Sequence, residues 1–217
     1  MIKIYIGFIG YSMKLIKPTV EIISDIDGEA VLRHIEHATR VCYDSNDKVN
    51  EESHLKLLKT ILDSHHYSVC EHSSVSVKIK CSRACLSQIS RHRHLSMSVR
   101  SQRYCNFSRS KKYPNGVEFI QPIAYDSWTT EQQFKFRTAM ESSEKSYMDL
   151  IAAGLKAQDA RNSLNNAVMA EMVVTANLRA WREFLKLRTT SHAQDEIRHL
   201  SLELQTQLRN KMPLIFD

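Results

Sequence analysis

The spacing of apolar residues in the N-terminal third of the chain predicts two amphipathic helices. Apolar side chains recur every three or four positions over residues 29–42, with Val31 and Ile35 on one face, and again over residues 51–65. This period places them on one side of an α-helix, where they can pack against a core. Asn50 is the expected N-cap of the second helix, because its side chain can accept a hydrogen bond from the first turn.

Apolar and polar residues alternate strictly over residues 74–81, which predicts a half-buried β-strand. The residues that follow predict a short helix over 82–91 and a polar, basic loop over 94–112. Pro and Gly in Tyr113-Pro114-Asn115-Gly116 indicate a turn. A strand is expected after this turn, over residues 117–123.

The C-terminal half has helical spacing in three longer stretches, over residues 128–156, 159–187 and 191–211. The chain has 217 residues, which suits one domain. Its 5 Gly and 4 Pro are too few for the many tight turns of an all-β protein. The expected fold class is therefore α+β, a single helix-rich domain with a small sheet.

The N-terminal end departs from this pattern. Residues 1–11 combine a basic residue with a short apolar stretch, but no small-residue cleavage site of a secretory signal follows. A second methionine, Met13, begins a more ordinary start. We expect residues 1–19 to form an N-terminal extension or first strand and residues 20–217 to form the domain.

Positive charge is concentrated in one window of the chain. The formal net charge is +6 at pH 7, and no acidic residue lies between Glu71 and Glu118, whereas ten Lys and Arg do. A block of one sign attracts ions of the other sign. Arg, which can bind a phosphate through two donors, predominates in the central part of the window. The window indicates a nucleotide or a nucleic acid as ligand, or else a solvated basic surface.

The glycines and cysteines exclude several familiar sites. The five glycines form neither a phosphate-binding P-loop nor a dinucleotide-binding turn. The five cysteines include no C-x-x-C pair, and their odd number is typical of buried or incidental thiols in a cytosolic protein. A zinc site from Cys70, His72, Cys81 and Cys85 would have unusual spacing, so no metal site is predicted. No apolar run is long enough to span a membrane.

The densest group of chemically active residues is Arg91-His92-Arg93, followed after seven residues by Ser101 and then by Arg103. In an extended segment, residues two apart project to the same side. Two guanidinium groups on one side can hold a phosphate or a carbonyl-rich ring. A bland basic loop is the alternative interpretation.

Further polar residues lie outside the basic window. His66 to His72 carries two histidines around Glu71 immediately before the predicted strand, and Arg161, Asn177 and Arg188 fall on otherwise apolar stretches. Asn177 and Arg188 are eleven residues apart, which is three helical turns, so they are expected to share a helix face. A guanidinium on an apolar face needs an acid or a bound anion as its partner.

Together these residues resemble the flavin-dependent thymidylate synthase family, and the resemblance extends over roughly residues 20–213. The family pattern Arg-His-Arg, seven residues and Ser matches Arg91-His92-Arg93 and Ser101. The other matching segments are His66 to His72, Ala160-Arg161, Asn177-Leu178-Arg179, Leu187-Arg188 and Ser191-His192-Ala193-Gln194.

The resemblance implies the flavin-dependent thymidylate synthase fold and the reductive methylation of dUMP to dTMP. In this family methylenetetrahydrofolate gives the carbon, FAD carries the hydride and NADPH is the reductant. The resemblance also implies a cytoplasmic homotetramer with shared active sites, small-molecule substrates, and neither a nucleic acid nor a membrane as partner. No cysteine nucleophile is required.

The family's functional residues carry over to two sets of positions. Arg188 is the implied catalytic residue, at the uracil ring. The implied dUMP contacts are Gln88, Ile89, Ser90, Arg91, Val99, Arg100, Ser101, Gln102, Arg103, Arg161 and Arg188. The implied FAD contacts are His66, Ser68, Glu71, Arg91, His92, Arg93, Val99, Asn177, Leu178, Arg179 and Glu183.

The chain departs from the family pattern at a few of these positions. Ser98 and Val99 stand where Asn and Glu are usual, and Val99 can contact a ligand only through its backbone. Gln102 replaces a common Gly, and Glu183 places an acid where a flavin-contacting Asn is usual. Two other hypotheses stay open. The departures leave a degenerate family member that binds nucleotide and flavin without turnover, and the basic window leaves a basic nucleic-acid-binding protein.

Overall fold

The computed structural model of the chain describes residues 13–108 and 110–217, and these form two compact units. The first unit contains the described residues up to Pro18, together with Cys81–Ala84 and Arg100–Ala170. The second unit contains Thr19–Lys80, Cys85–Val99 and Glu171–Asp217.

Helices predominate over strands in the described residues. The strands are β1 (Lys14–Ile16), β2 (Thr19–Ile22), β3 (Ser74–Ser82), β4 (Ser96–Val99), β5 (Glu118–Ile120) and β6 (Met169–Asn177). The helices are α1 (Gly28–Cys42), α2 (Ser53–Asp63), α3 (Arg83–Ile89), α4 (Thr130–Ala152), α5 (Ala157–Ala160), α6 (Leu178–Arg188), α7 (Asp195–Lys211) and α8 (Pro213–Phe216). This mixture confirms the predicted α+β class.

The first unit is built around α4 and a parallel pair of short strands, β1 and β5. A capping box starts α4: the Thr129 side chain accepts from the backbone N–H of Gln132, and the Gln132 side chain accepts from the backbone N–H of Thr129. The core of this first unit includes Phe107, Phe119 and Tyr147, which are all buried. The Tyr147 hydroxyl accepts the backbone N–H of Phe107, so this buried polar group is satisfied.

The second unit contains a four-stranded sheet in the order β2-β3-β6-β4. Both β2–β3 and β4–β6 are antiparallel pairs. Along β3 and β6, every second residue is buried, because successive side chains of a strand point to opposite faces. One face of the sheet therefore belongs to the core, which the fully buried Trp181 of α6 also joins.

The structure confirms the predicted helices at the positions of α1, α2, α3, α4 and α7, and the strands at β3 and β5. The turn at Tyr113-Pro114-Asn115-Gly116 is also confirmed, with Gly116 at a φ of 67°. Asn50 does not cap α2. Its side chain accepts the backbone N–H of Glu52, which leaves Glu52 as the N-cap residue.

The prediction of one helix over residues 159–187 was wrong. The structure has the short α5, then the strand β6, and only then α6. The run from Met169 to Asn177 contains Val and Thr, whose branched side chains favour strands, and its burial follows a period of two. Asn177 and Arg188 lie at the two ends of α6, as its N-cap and its last residue.

The basic segment 94–112 was predicted as a loop, but it contains the strand β4. Four residues are too few for periodicity alone to reveal a strand. Pairing with β6 brings Ser96 opposite Thr175 and Val99 opposite Met172, and this tertiary pairing defines the strand.

The predicted division between residues 1–19 and 20–217 stays a prediction, and residues 1–12 lie outside the described part of the chain. β1 falls within the first of these ranges. Among the described helices, none combines the length and the apolar character needed to cross a membrane.

Gly28→Ala should destabilise the protein by about 2–3 kcal/mol, because overpacking against rigid backbone forces the structure to shift. A Cβ at Gly28 would lie 1.9 Å from the backbone carbonyl oxygen of Lys211. Thermal unfolding followed by circular dichroism should show a fall in Tm of about 5–10 °C. Ala30→Ser, at an exposed position of α1, is the control and should change stability by less than about 0.5 kcal/mol. A stability for Gly28→Ala equal to that of this control would contradict the close approach.

Candidate active site

The site in the second unit is organised by α6, which begins where β6 ends. Asn177 is the N-cap residue of α6, and its side-chain oxygen accepts the backbone N–H of Ala180 at 2.8 Å. An amide side chain is well suited to this position because the first turn of a helix has backbone donors without helical partners. The strand therefore passes directly into the helix, and the register of β6 fixes the first residues of α6.

The middle of α6 is anchored to the sheet by Trp181. Its indole Nε1–H donates to the backbone carbonyl of Val75 in β3 at 3.0 Å, and the ring is fully buried. The ring of Phe184 packs edge-on against Trp181, with centroids 5.6 Å apart. Burial of two aromatic rings on one helix face gives a large apolar contribution to stability. This face holds α6 in place while its other residues reach a cleft.

The cleft has a volume of about 430 Å³. Its lining combines cations, anions and neutral polar groups from α6, from the segment after α3, and from the 3-10 helix Tyr67–His72. The lining residues are Glu71, His92, Arg93, His94, Leu95, Asn177, Arg179, Ala180 and Glu183.

An ion pair crosses between two of the elements that line the cleft. The Nη1 of Arg179 lies 2.6 Å from the Oε1 of Glu71, and both side chains are about half exposed. An ion pair with this much exposure contributes little to stability. It does join the 3-10 helix Tyr67–His72 to the first turn of α6, and both residues line the cleft.

At the C-terminal end of α6, Arg188 contacts His92. The Nε–H of Arg188 donates to Nε2 of His92 at 3.0 Å, and its Nη2 lies 3.4 Å from the backbone carbonyl oxygen of Gln88. The His92 ring also packs edge-on against Phe184, with centroids 4.8 Å apart. Arg188 is partly buried, so its charge is held at a defined place.

The environment of His92 disfavours its charged form. Partial burial lowers the pKa of His92 below its ordinary value of 6.5, and the nearby positive charge of Arg188 lowers it further. At neutral pH the ring is therefore uncharged and can accept a hydrogen bond.

Comparison with known proteins connects this arrangement to one family. Residues 26–214 match the family model described as "Thymidylate synthase complementing protein". Proteins named flavin-dependent thymidylate synthase from Mycobacterium avium and from Mycobacterium tuberculosis are each 35% identical to this chain. The first match covers 93% of this chain and 84% of that protein, and so does the second.

The chain belongs to the flavin-dependent thymidylate synthase family. The predicted resemblance and the prediction of an enzyme are thereby confirmed.

Solved structures show the same fold at lower sequence identity. A UMP/dUMP methylase, PolB from Streptomyces cacaoi bound with 5-Br dUMP, has a TM-score of 0.77 and is 23% identical. The match covers 94% of this chain and 95% of that one. The same protein bound with 5-Br UMP gives a TM-score of 0.76 at 24% identity, with 94% of each chain covered. The predicted fold of the flavin-dependent thymidylate synthases is thus confirmed.

The structure gathers into the cleft more than half of the residues that the family implies for FAD. Those that line it are Glu71, His92, Arg93, Asn177, Arg179 and Glu183. Of the others, Leu178 is fully buried in the core, and Val99 pairs with Met172 in the sheet. His66 and Ser68 lie at the start of the 3-10 helix Tyr67–His72, and Arg91 is exposed.

The residues that the family implies for dUMP are divided between the two compact units. Gln88 to Arg91, Val99 and Arg188 belong to the second unit, where Ile89 is buried in the core and Ser90 is exposed. Arg100 to Arg103 and Arg161 belong to the first.

In the first unit these side chains have local contacts. The Arg100 guanidinium lies over the Phe107 ring, 5.2 Å from its centroid, and lines a small cavity of about 140 Å³. The Ser101 hydroxyl accepts the backbone N–H of Arg103 at 3.1 Å. The Nε–H of Arg161 donates to the backbone carbonyl of Gln158.

Three residues of the cleft were not predicted from the sequence: His94, Leu95 and Ala180. His94 and Leu95 directly follow the family motif, and this adjacency was a signal that could have found them. Ala180 is the helical position three residues after the N-cap, and only the observed start of α6 reveals its place.

Three of the five cysteines, Cys70, Cys81 and Cys85, are buried and have the properties of structural thiols. Burial raises the pKa of Cys70, although the nearby guanidinium groups of Arg182 and Arg179 act in the opposite direction. A thiol with a raised pKa holds its proton at pH 7 and is a poor nucleophile.

Trp181→Phe should destabilise the protein by about 2–4 kcal/mol, because it removes a buried donor from the carbonyl of Val75 and leaves a cavity. Urea denaturation followed by circular dichroism would measure the change. The chain has one other tryptophan, Trp128, which is partly exposed. Trp128→Phe is the matched control and should lower the free energy of unfolding by less than about 1 kcal/mol. Equal stability losses in the two variants would show that Trp181 does not anchor α6.

Proposed function

We propose that the protein catalyses the reductive methylation of dUMP to dTMP. Methylenetetrahydrofolate would give the carbon, FAD would carry the hydride and NADPH would be the reductant. The observation that carries this proposal is the cleft beside α6, which collects six of the residues that the family implies for FAD. Membership of the family and the names of its relatives support the same reaction.

The chemistry of the cleft suits part of an FAD molecule. Its volume of about 430 Å³ falls within the range of small-molecule pockets. Arg93 and Arg179 supply cationic donors for a diphosphate, and His92 supplies a neutral ring that can pair with a polar edge. When bound, FAD supplies the hydride chemistry that the side chains of the protein lack.

Arg188 would act on the pyrimidine of the substrate. A fixed guanidinium beside the ring stabilises negative charge that develops on the ring nitrogen and carbonyl oxygens. This stabilisation makes the C5 carbon of the pyrimidine more nucleophilic toward the one-carbon donor. A guanidinium carries hydrogen-bond donors and no acceptor, so Arg188 stabilises this charge by donating to it.

The remaining implied contacts would hold the phosphate and sugar of dUMP. Arg91 in the second unit and Arg103 in the first are each exposed, and each offers a guanidinium that can bind an anion. The Ser101 hydroxyl accepts backbone N–H groups and has no described base beside it in the first unit, so it would be a binding group and not a nucleophile.

We further propose that the enzyme is a cytoplasmic homotetramer in which subunits share active sites. The large exposed apolar side chains of Tyr104 and Leu187 support an assembly, because each is next in sequence to an arginine implied at the substrate. Light scattering of the purified protein would give the number of subunits.

Replacement of Arg188 tests the catalytic role. Arg188→Ala should lower kcat/KM for dTMP formation by at least about 1,000-fold, because the charge on the pyrimidine loses its fixed partner. Arg188→Lys should also lose at least about tenfold, since an ammonium lacks the planar pair of donors. Product formation with all four ligands present, measured by chromatography, gives the rates.

Arg33→Ala, on the surface of α1, is the control for this series and should keep the wild-type rate. Near-normal turnover in Arg188→Ala would contradict the role of Arg188. A wild-type protein that binds flavin and dUMP but forms no dTMP would refute the proposed reaction and leave a binding protein.

Replacement of charged cleft residues tests the place of the flavin. Arg179→Leu should weaken FAD binding by about tenfold, because a diphosphate loses a charge-assisted donor. Glu183→Gln should tighten binding a few-fold, because it removes an anion from the cleft of an anionic cofactor. Absorbance titration with FAD measures both affinities, and Arg33→Leu is the control. Unchanged affinity in both cleft variants would place the flavin elsewhere.

A further inference from the structure

The contact between Arg188 and His92 determines the protonation of the imidazole. The Nε of Arg188 lies 3.0 Å from the Nε2 of His92. A guanidinium can only donate, so Nε2 must be the acceptor. An imidazole has an acceptor nitrogen only when it is neutral, which assigns the ring proton to Nδ1.

The His92 ring is held from a second side. Phe184 packs edge-on against it, one turn before Arg188 on the same face of α6. Phe184 itself packs against Trp181, whose indole is bonded to β3. The acceptor nitrogen of His92 therefore has a position fixed by the core of the second unit.

The hydrogen bond to His92 restricts how the guanidinium can turn. Arg188 has five N–H groups, of which the one on Nε is directed to His92 and one on Nη2 is directed to the Gln88 carbonyl. A long side chain loses rotamer freedom when it is fixed. Because the protein itself makes the contacts of Arg188 with His92 and Gln88, this loss of freedom has occurred before a ligand binds.

We propose that neutral His92 is a positioning residue that orients Arg188 by accepting its Nε–H, so that the remaining guanidinium donors are directed to the pyrimidine. This inference rests on the proposed function for the role of Arg188. It adds a role to His92 besides contact with the flavin, because the same ring both lines the cleft and sets the orientation of the arginine.

Protonation of His92 would break this arrangement, because Nε2 would then carry a proton that opposes the guanidinium. The charged and titratable groups near the ring are cationic Arg188 and Arg179 and anionic Glu183 on α6, Arg91, Arg93 and His94 on its own segment, and Glu71 on the 3-10 helix. Burial and Arg188 both favour the neutral ring. Orientation of Arg188 should therefore hold at neutral pH and be lost as the pH falls below the ordinary histidine range.

Nitrogen NMR of the holoenzyme tests the tautomer directly. With ¹⁵N-labelled histidine, the His92 signals, assigned by their absence in His92→Gln, should show a protonated Nδ1 and an unprotonated Nε2 at pH 7. The His92 pKa should lie below the ordinary 6.5, and Arg188→Ala should raise it. A proton on Nε2, or a charged ring at pH 7, would overturn the inference.

Kinetics at saturating FAD test the positioning role. His92→Phe keeps an aromatic ring against Phe184 but lacks the acceptor, and it should lower kcat by about tenfold or more. His92→Gln places an amide oxygen within reach of Arg188, so it should restore kcat to within about threefold and abolish the acid limb of the pH profile. His37→Phe, at an exposed histidine of α1, is the control.

The two measurements separate this inference from the proposed reaction. A His92→Phe variant with wild-type kcat, or a His92→Gln variant that keeps the wild-type acid limb, would refute the positioning role. If the wild-type protein forms no dTMP, the proposed reaction fails, while the NMR result still decides whether His92 accepts from Arg188. Circular dichroism of each variant confirms that a loss of rate is not a loss of fold.

Discussion

The hydrogen bond from Trp181 to the carbonyl of Val75 is the constraint on which the geometry of the site depends. It ties the middle of α6 to the sheet, so both ends of the helix are placed at once. Eleven residues of helix span about 16 Å, which separates the N-cap Asn177 from Arg188. One buried indole thus fixes a residue of the cleft at one end and the guanidinium of Arg188 at the other.

The charges of the cleft are more balanced than the basic window of the sequence indicates. Arg93 and Arg179 face Glu71 and Glu183 in the lining, and Glu71 is paired with Arg179. Glu71 precedes the acid-free window in the sequence and Glu183 follows it, and the fold brings both carboxylates to the cleft. A balanced cleft can bind a cofactor through oriented donors and acceptors, rather than through net attraction that would hold any anion.

The His92 side chain contacts both the buried core and the candidate site. The ring packs on Phe184, contacts Arg188 and lines the cleft, so one side chain belongs to three parts of the structure. Its lowered pKa has burial as the main cause and the neighbouring cation as the second. Arg188 and the Phe184 ring that packs against His92 both belong to α6, so the environment of this ring depends in part on the same anchor that places Arg188.

The sequence by itself determined the family and most of the residues that line the cleft. Arg91-His92-Arg93, Ser101 and the segment His66 to His72 are recognisable because residue type and spacing are properties of the chain alone. The amphipathic helices α1 and α2 and the strand β3 were also predictable. One face of each is buried, so apolar residues repeat along the sequence at the spacing of a helix or a strand. The run before Asn177 was mistaken for a helix because both faces of this strand carry apolar residues, so its alternation is not visible in the sequence.

Only the tertiary structure decided where the active residues lie. β4 exists through its pairing with β6, and the cleft exists because the 3-10 helix before β3, the segment after α3 and the start of α6 converge. The bond between Arg188 and His92 joins residues 96 positions apart, and no local pattern encodes such a contact. Leu178 shows the converse: a residue within a family motif belongs to the core, because the register of β6 and α6 turns its side chain inward.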